Sequence, residues 1–439
     1  MEKNNDLIEK VVSLCKRRGF VFPGSDIYGG LSNSWDYGPL GVELKNNIKK
    51  LWWSKFVKQR TDMVGIDAAL IMNPKVWEAS GHLATFSDPL VECKKCHSRY
   101  RADQMPPKCE TCGEKEFTDA KQFNLMFKTF IGPSEEQANI AYFRPETAQA
   151  MFTNFKNVLD TARKRIPFGI AQAGAAFRNE ITPGNFIFRT REFEQMEIEY
   201  FIEVPKSDEE WNKYFEEWRE QMISWMRDDL KLDMGHIHEL EVPAEDRAHY
   251  SKRTIDFEYE FPFGIKELYG LAYRTDFDLQ NHIKASGQDL QYRDPETNEV
   301  YVPHVIEPTW GVNRTFLALL CEHYDDSDPA RTVLHLPAKL APYQVAVFPL
   351  LKNKPELVAK AQEVFSSLVS SPFSFNVAWD ERGNVGKRYY SQDEIGTPFC
   401  VTVDFDTLEN NTVTIRDRDT AQQERIAISE LETYLLKKI

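Results

Sequence analysis

The chain has 439 residues, enough for two to four domains with a large core. It is 42% hydrophobic and 28% charged, an ordinary globular balance, and its apolar runs fall short of the roughly 18 residues that would span a bilayer. The net charge of -14 argues against a generic nucleic-acid binder but leaves local basic patches open, and the N-terminus lacks an apolar signal core. We therefore expect a cytoplasmic protein without a membrane segment.

The N-terminal part predicts a turn-rich segment and then an amphipathic helix. Residues 22–41 are rich in glycine and contain two prolines, a composition typical of loops and turns. Apolar side chains recur at helical spacing in the stretch that follows, which predicts a helix over residues 43–57. Residues 67–82 then predict a short strand that ends at Pro74.

Residues 91–118 stand apart because they hold four of the seven cysteines. The stretches CKKC and CETC place Cys93, Cys96, Cys109 and Cys112 in two knuckles about a dozen residues apart. This spacing favours one tetrahedral Zn²⁺ site, with chance spacing as the alternative. Four thiolates leave no open coordination position, so the predicted role is structural. His97 is expected to face solvent.

A charged hairpin follows. Residues 141–160 predict a strand end, a turn and a helix, and residues 169–180 predict a buried strand. Residues 191–204 alternate, with Phe193 and Glu197 on one face and apolar side chains on the other. A turn at residues 182–185 joins the two arms.

The charges of this hairpin suit a phosphate and an aromatic base. Arg178 and Glu180 are two residues apart, so a strand would place both on one face, and Arg189 and Arg191 lie on the returning arm. An arginine there can bind a phosphate with two hydrogen bonds. The alternative is a surface hairpin with paired charges.

The rest of the chain predicts a core and a second domain. Residues 207–230 predict a helix with a capping box from Ser207 to Glu210 and an aromatic stripe that faces the core. Strands are expected within 254–279, and residues 310–324 lead into a buried helix with Arg314 near its N-terminus. After a polar boundary at 330–342, strands and helices alternate.

These motifs, in this order, resemble those of the class II aminoacyl-tRNA synthetases. FRNE at 177–180 with REFEQMEIEYF resembles their motif 2, GVNRTFLALL resembles motif 3, and the helix 43–57 with ALIMNP resembles the dimer-forming motif 1. YGPLG, WEASGH, FSDPLVECKKC, FRPETAQ and IEPTWGVNRT are similar to the single-chain, homodimeric glycyl-tRNA synthetase family within that class. The similarity spans nearly the whole chain.

The resemblance implies an α+β fold in which an antiparallel sheet is flanked by helices and a C-terminal α/β domain binds the anticodon. The implied domains are a catalytic domain over 1–335, with a zinc-ribbon-like insertion at 91–118, and an anticodon-binding domain over 336–439. The implied reaction joins glycine to ATP as glycyl-adenylate and transfers the glycyl group to the 3′ end of tRNA-Gly. ATP with Mg²⁺, a structural Zn²⁺ and a homodimer follow from the same resemblance, with Glu307 a candidate Mg²⁺ ligand.

Matched position by position, the resemblance implies three groups of site residues. The catalytic group is Arg178, Glu180 and Arg314. The ATP group is Arg178, Asn179, Glu180, Phe188, Arg189, Thr190, Phe193, Glu267, Leu268, Gly311 and Arg314. The glycine group is Arg99, Glu146, Glu197, Arg274, Glu307 and Thr309. Within these groups Arg178 would hold the α-phosphate, Phe193 would stack on adenine, and Arg274 would meet the substrate carboxylate.

Two positions depart from the family pattern, and two other functions stay open. Thr309 stands where the family usually has serine, which preserves the hydroxyl, and Trp310 stands among residues that are usually smaller. The alternatives are an idle synthetase paralogue that binds tRNA and a class II enzyme for another amino acid. Basic candidates for tRNA contact in the C-terminal domain are Lys387, Arg388, Arg416 and Arg418, with a solvated surface as the equal alternative.

Overall fold

A computed structural model describes residues 2–134 and 139–439. The N-terminal elements are α1 (Glu2–Arg18), β1 (Val21–Pro23), β2 (Trp35–Tyr37), α2 (Pro39–Trp53), β3 (Met63–Gly65), β4 (Ile71–Met72), α3 (Pro74–Ala79), α4 (His82–Thr85), β5 (Ser87–Glu92), β6 (Arg99–Arg101), β7 (Lys121–Asn124), β8 (Lys128–Phe130), β9 (Ile140–Phe143), α5 (Ala148–Thr153) and α6 (Phe155–Ala162).

The central elements are β10 (Phe168–Phe177), β11 (Glu192–Ile202), α7 (Asp208–Ser224), β12 (Ile237–Glu241), β13 (Arg253–Phe261), β14 (Gly264–Thr275), α8 (Phe277–Ser286), β15 (Tyr292–Arg293), β16 (Val300–Tyr301), β17 (His304–Gly311), α9 (Val312–His323), β18 (Tyr324–Asp328) and β19 (Arg331–Leu334). The C-terminal elements are β20 (Val345–Pro349), α10 (Pro355–Val369), β21 (Val377–Trp379), α11 (Val385–Glu394), β22 (Phe399–Val403), α12 (Phe405–Asn410), β23 (Thr412–Asp417), β24 (Gln423–Ala427) and α13 (Ile428–Lys438).

A seven-stranded sheet with the order β12-β13-β14-β17-β11-β10-β3 forms the centre of the N-terminal part. All neighbours in it are antiparallel except β10 and β3. The register places Glu197 of β11 opposite Thr309 of β17, and Glu307 of β17 opposite Ala272 of β14. Polar side chains that lie far apart in the sequence therefore meet on three adjacent strands.

The predicted helix at 43–57 is present and longer at its start. α2 begins at Pro39, whose fixed φ suits the first helical turn, and a π-helical turn over Ser54–Lys58 continues it. Lys45 and Lys49 of α2 bind the Glu194 carboxylate of β11 at 2.6 and 2.8 Å. These ion pairs and the buried apolar face fix α2 against the central sheet.

The strand predicted within 67–82 was too long. Only Ile71–Met72 is a strand, because Pro74 begins α3 rather than only ending the strand. Asn73 caps that helix, since its side-chain oxygen accepts a hydrogen bond from the Lys75 backbone N–H at 3.0 Å.

The aromatic stripe of α7 faces the core, as predicted. Trp211, Phe215, Trp218 and Met222 are buried in the largest apolar cluster of the described residues. The predicted capping box is wrong, because the Ser207 side chain makes no capping hydrogen bond. Three acidic residues in the first turn of α7 still interact favourably with the helix dipole.

Trp310 is explained by the same core. It lies on β17, on the face opposite the polar residues Glu307 and Thr309, and is fully buried. Its ring packs 5.4 Å from that of Trp52 and 4.8 Å from that of Phe56, both below the sheet. The bulk at this position fills space between β17 and the helix α2 with its π-helical extension.

The C-terminal part is the predicted α/β unit. Its sheet has the order β21-β20-β22-β23-β24. The first three strands are parallel to one another, β23 is antiparallel to β22, and β24 is antiparallel to β23. The domain boundary predicted at 335/336 falls between β19 and β20 and stays a prediction. Among the helices that the structure describes, none has the length and apolar character needed to cross a membrane.

Candidate active site

A cavity of about 400 Å³ opens above the central strands β11, β14 and β17. Of the predicted ATP and glycine groups, the residues that line it are Glu146, Arg178, Glu180, Phe188, Arg189, Thr190, Phe193, Glu197, Glu267, Leu268, Glu307, Thr309, Gly311 and Arg314. Asn179, Arg99 and Arg274 do not line it. The structure thus brings most of the predicted site residues together around one cavity.

The route by which Arg178 and Glu180 reach the cavity differs from the prediction. β10 ends at Phe177, so neither residue lies on a strand and alternation does not place them. The Arg178 N–H donates to the Arg191 carbonyl at 2.9 Å, and the Glu180 N–H donates to the Arg178 carbonyl at 2.7 Å. This tight turn at the strand end points both side chains into the cavity.

Arginines collect at one end of the cavity. The Arg178 guanidinium lies 5.4 Å from the ring centre of Phe86 and 5.2 Å from that of Phe193, and its Nε donates to the Pro145 carbonyl at 3.0 Å. Cation–π contacts with two rings restrain a guanidinium while its terminal nitrogens stay available. These contacts leave the charged end of Arg178 facing the cavity.

Two further arginines face the same end and pair with carboxylates. Arg189 lies 3.9 Å from Glu180, and Arg314 lies 3.1 Å from the Glu267 carboxylate. The positive charge of Arg314 lowers the pKa of Glu267. Arg314 also lies 4.6 Å from the ring centre of Phe188, so this end combines cations with aromatic faces that suit a nucleotide.

Carboxylates collect at the other end. Glu146, Glu197 and Glu307 are 8%, 3% and 7% exposed. The Thr147 backbone N–H donates to Glu197 at 2.9 Å, and the Gln195 amide donates to it at 2.9 Å. Glu146 accepts a hydrogen bond from Gln149 at 3.0 Å. Three oriented carboxylates in one buried place suit a small cation such as an ammonium group.

The shared burial of these carboxylates changes their acidity. Burial, opposed by Arg274 and reinforced by Glu197 and Glu146, raises the pKa of Glu307 to about 8. Burial and the negative charge of Glu146 also raise the pKa of Glu197. An incoming cation would lower both values, because it stabilises the ionised carboxylates.

Arg274 does not line the cavity but contacts the buried carboxylates behind its surface. It is 1% exposed, and its guanidinium donates to both Asp278 oxygens at 2.8 and 2.9 Å and to Glu307 at 2.7 Å. The Tyr250 ring covers it at 3.7 Å. The predicted contact with a substrate carboxylate stays a prediction, but here the guanidinium orients Glu307.

Sequence reasoning missed several residues of this site. Asp256 of β13 lines the cavity beside Glu267, and burial raises its pKa to about 7. Gln149 and His82 extend the hydrogen-bonded support of the carboxylates, with His82 Nε2 lying 3.3 Å from Glu146. Asp256 could have been found, because polar and apolar residues alternate along β13 and place it on the polar face. The supporting residues come from loops and helices, where no such pattern exists.

The four cysteines form one compact cluster. Their sulfur atoms all lie within 4.8 Å of one another, with Cys93 and Cys112 at 3.6 Å and Cys96 and Cys109 at 3.4 Å. The cluster fits a tetrahedral thiolate site for a soft divalent metal such as Zn²⁺. His97 points away, with 74% of its side chain exposed, as predicted.

Arg99 belongs to this cysteine segment and not to the cavity. Its side chain is 65% exposed and its Nε lies 3.4 Å from Glu92. Arg144, next to Glu146 in the sequence, is structural, because it donates to the Ala175 and Ala68 carbonyls. A Cβ at Gly174 would lie 2.4 Å from a terminal Arg144 nitrogen, so a larger residue there would displace the guanidinium.

Three of the four basic candidates for tRNA contact are buried, which contradicts both their predicted contact and the solvated alternative. Arg388, Arg416 and Arg418 are 1%, 4% and 3% exposed. Arg388 and Arg418 donate to backbone carbonyls, and Arg416 pairs with Asp393. Only Lys387 of the four is exposed. Sequence alone could not separate these roles, because arginine serves both equally well.

Comparison with known proteins agrees with this geometry. Residues 127–324 match the family model "tRNA synthetase class II core domain (G, H, P, S and T)", and residues 344–438 match the model "Anticodon binding domain". The fold and the site thus define a class II synthetase core joined to an anticodon-binding domain.

Curated relatives narrow the class further. The chain is 52% identical to the glycine–tRNA ligase of Alkaliphilus oremlandii, with 98% of each chain covered, and 52% identical to that of Clostridium acetobutylicum, with 100% of each covered. It is 50% identical to the glycine–tRNA ligase of Geobacillus thermodenitrificans over 100% of each chain. The chain belongs to the glycine–tRNA ligase family and is an aminoacyl-tRNA ligase.

Proposed function

We propose that this protein activates glycine with ATP to form glycyl-adenylate and then transfers the glycyl group to the 3′-terminal ribose of tRNA-Gly. The observation that supports this most strongly is the separation of charge in the cavity. Three arginines line one end, and three buried carboxylates line the other. A nucleotide phosphate fits the first end and an amino-acid ammonium group fits the second.

In the first step the glycine carboxylate attacks the α-phosphate of ATP, and pyrophosphate leaves. Arg178 would bind the α-phosphate and stabilise the charge that develops on it. Arg189 and Arg314 would bind the outer phosphates, while Phe193 and Glu180 would hold the adenine ring and its amino group. The protein then contributes mainly position and positive charge, as phosphoryl-type transfer requires.

At the other end Glu146, Glu197 and Glu307 would surround the ammonium group of glycine, with Thr309 beside them. Carboxylates closed around the ammonium group would leave little room for a larger side chain, so bulkier amino acids would be rejected by steric clash. A site rejects an amino acid larger than its substrate more easily than a smaller one. Since every other amino acid is larger than glycine, we expect no editing step.

Magnesium is the expected counterion of the ATP phosphates, and the donor set here fits it. Asp256 and Glu267 offer hard carboxylate oxygens at the arginine end, whereas Glu307 lies at the ammonium end and is engaged by Arg274. We therefore assign Asp256 and Glu267 as the carboxylates nearest to a bound Mg²⁺. The ion would supply positive charge to the phosphates.

The same proposal includes the assembly and the second metal. A homodimer is supported by exposed apolar side chains next to α2, since Ile27, Tyr28 and Leu31 are 87%, 86% and 67% exposed. Zn²⁺ in the cysteine cluster is supported by its sulfur geometry. The use of tRNA and ATP would place the protein in the cytoplasm.

Glycine-dependent exchange of pyrophosphate into ATP tests the activity. Exchange should occur with glycine and be far weaker with alanine or serine. Equal exchange with alanine or serine would contradict the glycine assignment, and no exchange with any amino acid would favour an idle paralogue that binds tRNA. Intact Arg178, Glu180 and Arg314 in the cavity argue against that second candidate.

Metal analysis of the purified protein tests the cysteine site. We expect about one zinc ion per chain, lost when Cys93 and Cys112 are both replaced by serine. A stable parent protein without bound metal would refute the zinc assignment and leave the cysteine cluster without a function.

A further inference from the structure

The cysteine-bearing insertion is connected to the main domain by a single two-stranded stem. β5 and β7 pair with Ser87 opposite Asn124, and β6 adds to the outer edge of β5. Phe86 directly precedes this stem and Leu125 directly follows it, and the Leu125 N–H donates to the Phe86 carbonyl at 3.0 Å. A displacement of the stem would therefore act on both residues, in the case of Phe86 against its packing on the main-domain cluster of Trp77, Met126 and Tyr142.

These two residues contact the anion-binding turn of the cavity. The Arg178 guanidinium lies 5.4 Å from the ring centre of Phe86 and 5.2 Å from that of Phe193, so Phe86 supplies one of its two aromatic contacts. The Leu125 carbonyl accepts a hydrogen bond from the Asn179 N–H at 2.8 Å. Two consecutive residues of the active-site turn are thus held by the two ends of the insertion stem.

The insertion has little apolar core of its own. Its buried cluster consists of Val91, Tyr100, Cys93 and Cys109, so half of it is cysteine. A core this small rarely orders three strands without a cross-link or a metal ion. Metal binding to such a segment supplies folding free energy. The order of the stem should therefore depend on the ion that the cysteines bind.

We propose that Phe86 and Leu125 are positioning residues for Arg178 and Asn179, and that a metal ion in the cysteine cluster keeps them in place. This inference rests on the proposed role of Arg178 in ATP binding. The cysteine cluster then does more than stabilise the insertion, because metal occupancy and ATP binding are coupled through the stem. Such coupling is reciprocal, so ATP should also retain the metal.

Substitution at Phe86 tests the positioning role. Phe86→Leu keeps an apolar side chain but removes the π face, so the KM for ATP in pyrophosphate exchange should rise, or kcat fall, by roughly two- to thirtyfold. The KM for glycine should stay unchanged, and Phe86→Tyr should restore activity. The matched control is Phe123→Leu, since Phe123 is a half-buried residue of the same stem that pairs opposite Asp88.

Phe86→Leu kinetics equal to those of Phe123→Leu would overturn this role. Circular dichroism and zinc content of both variants establish that they fold. A parent protein that fails to exchange pyrophosphate with glycine would instead contradict the proposed function, so the two failures are distinguishable.

Metal release tests the coupling without an activity readout. A thiol-blocking reagent displaces zinc from the parent protein, and a zinc-sensitive dye measures the rate. Saturating ATP with Mg²⁺ should slow the release in the parent and in Phe123→Leu but much less in Phe86→Leu. Equal release rates with and without ATP in the parent, or a parent that binds no zinc, would overturn the metal part of the proposal.

Discussion

The contacts of Arg178 in the structure agree closely with its proposed role at the α-phosphate. Its guanidinium lies within 5.4 Å of the ring centres of Phe86 and Phe193 and donates a hydrogen bond to the Pro145 carbonyl. Arg178→Ala removes the charge that would stabilise the α-phosphate, so glycine-dependent exchange should fall by roughly a hundredfold to a thousandfold. The assay is pyrophosphate exchange, with far-ultraviolet circular dichroism to confirm the fold.

Arg191→Ala is the matched control for this prediction. Arg191 belongs to the same hairpin, but its guanidinium donates to the Ser32 carbonyl outside the cavity. The control should keep exchange close to that of the parent. Substantial exchange in Arg178→Ala would contradict the role assigned to that arginine.

Glu307 makes glycine binding depend on pH. Its pKa is raised to about 8, chiefly by burial, so below that value the carboxyl is largely neutral in the free protein. An ammonium ion favours the ionised form, and its binding therefore releases a proton below about pH 8. By linkage, glycine affinity should increase between about pH 6.5 and pH 8.5, by at most tenfold per pH unit.

The KM for glycine measured across this range checks the prediction, with the KM for ATP as an internal reference. Glu307→Gln should bind glycine more weakly and lose most of the increase, because the amide does not titrate. Arg274 stays buried next to the amide in that variant, so its stability must be measured in parallel. A parent whose KM for glycine does not change with pH would refute the prediction.

At the scale of elements, the sequence was informative where side chains alternate or recur along one element. Apolar residues that recur at the helical or strand period predicted three features. These are the helix over 43–57, the β10–β11 hairpin and the core face of α7. The same rule failed for Arg178 and Glu180, since β10 ends one residue before Arg178. The contacts of Arg274 with Asp278 and Glu307 could not be predicted from the sequence, because they depend on tertiary packing.

β17 shows how one strand serves both the core and the site. Trp310 is fully buried against Trp52 and Phe56, while its neighbour Thr309 lines the cavity. Trp310→Ala should lower the free energy of unfolding by about 3–5 kcal/mol, because it creates a cavity. Trp310→Phe should cost much less, since the indole N–H has no hydrogen-bond partner among the described residues.

Urea unfolding of the two variants measures this difference. Exchange kinetics should stay near those of the parent in Trp310→Phe, because the substituted side chain is on the face of β17 opposite the cavity. Equal destabilisation by alanine and phenylalanine would contradict the packing role.

At the scale of the whole molecule, a buried ion-pair network joins the N-terminal part to the C-terminal α/β unit. Asp393 of α11 is fully buried and binds Arg331 of β19 at 2.8 Å and Arg416 of β23 at 2.8 and 3.0 Å. Arg418 adds hydrogen bonds to the Leu336 and Gly396 carbonyls. One carboxylate therefore fixes the buried Arg416 and the partly buried Arg331 at the junction of the two parts.

Asp393→Asn tests whether this junction orients the C-terminal unit for tRNA. The substitution leaves the buried Arg416 guanidinium and the partly buried Arg331 guanidinium without this counter-charge, which should cost about 3–5 kcal/mol of unfolding free energy. Glycine-dependent exchange needs only the cavity and should be largely retained, whereas aminoacylation of tRNA-Gly should fall because the two parts lose their fixed orientation. Urea unfolding and the two assays measure these effects separately.

Asp406→Asn is the control, because Asp406 forms an exposed ion pair with Arg425 at 3.3 Å within the C-terminal unit. An exposed pair contributes at most about 1 kcal/mol, so stability and both activities should stay near those of the parent. If Asp393→Asn reduced exchange and aminoacylation equally, the network would support the cavity itself and not the orientation of the C-terminal unit. If neither stability nor aminoacylation changed, the junction would be held by other contacts.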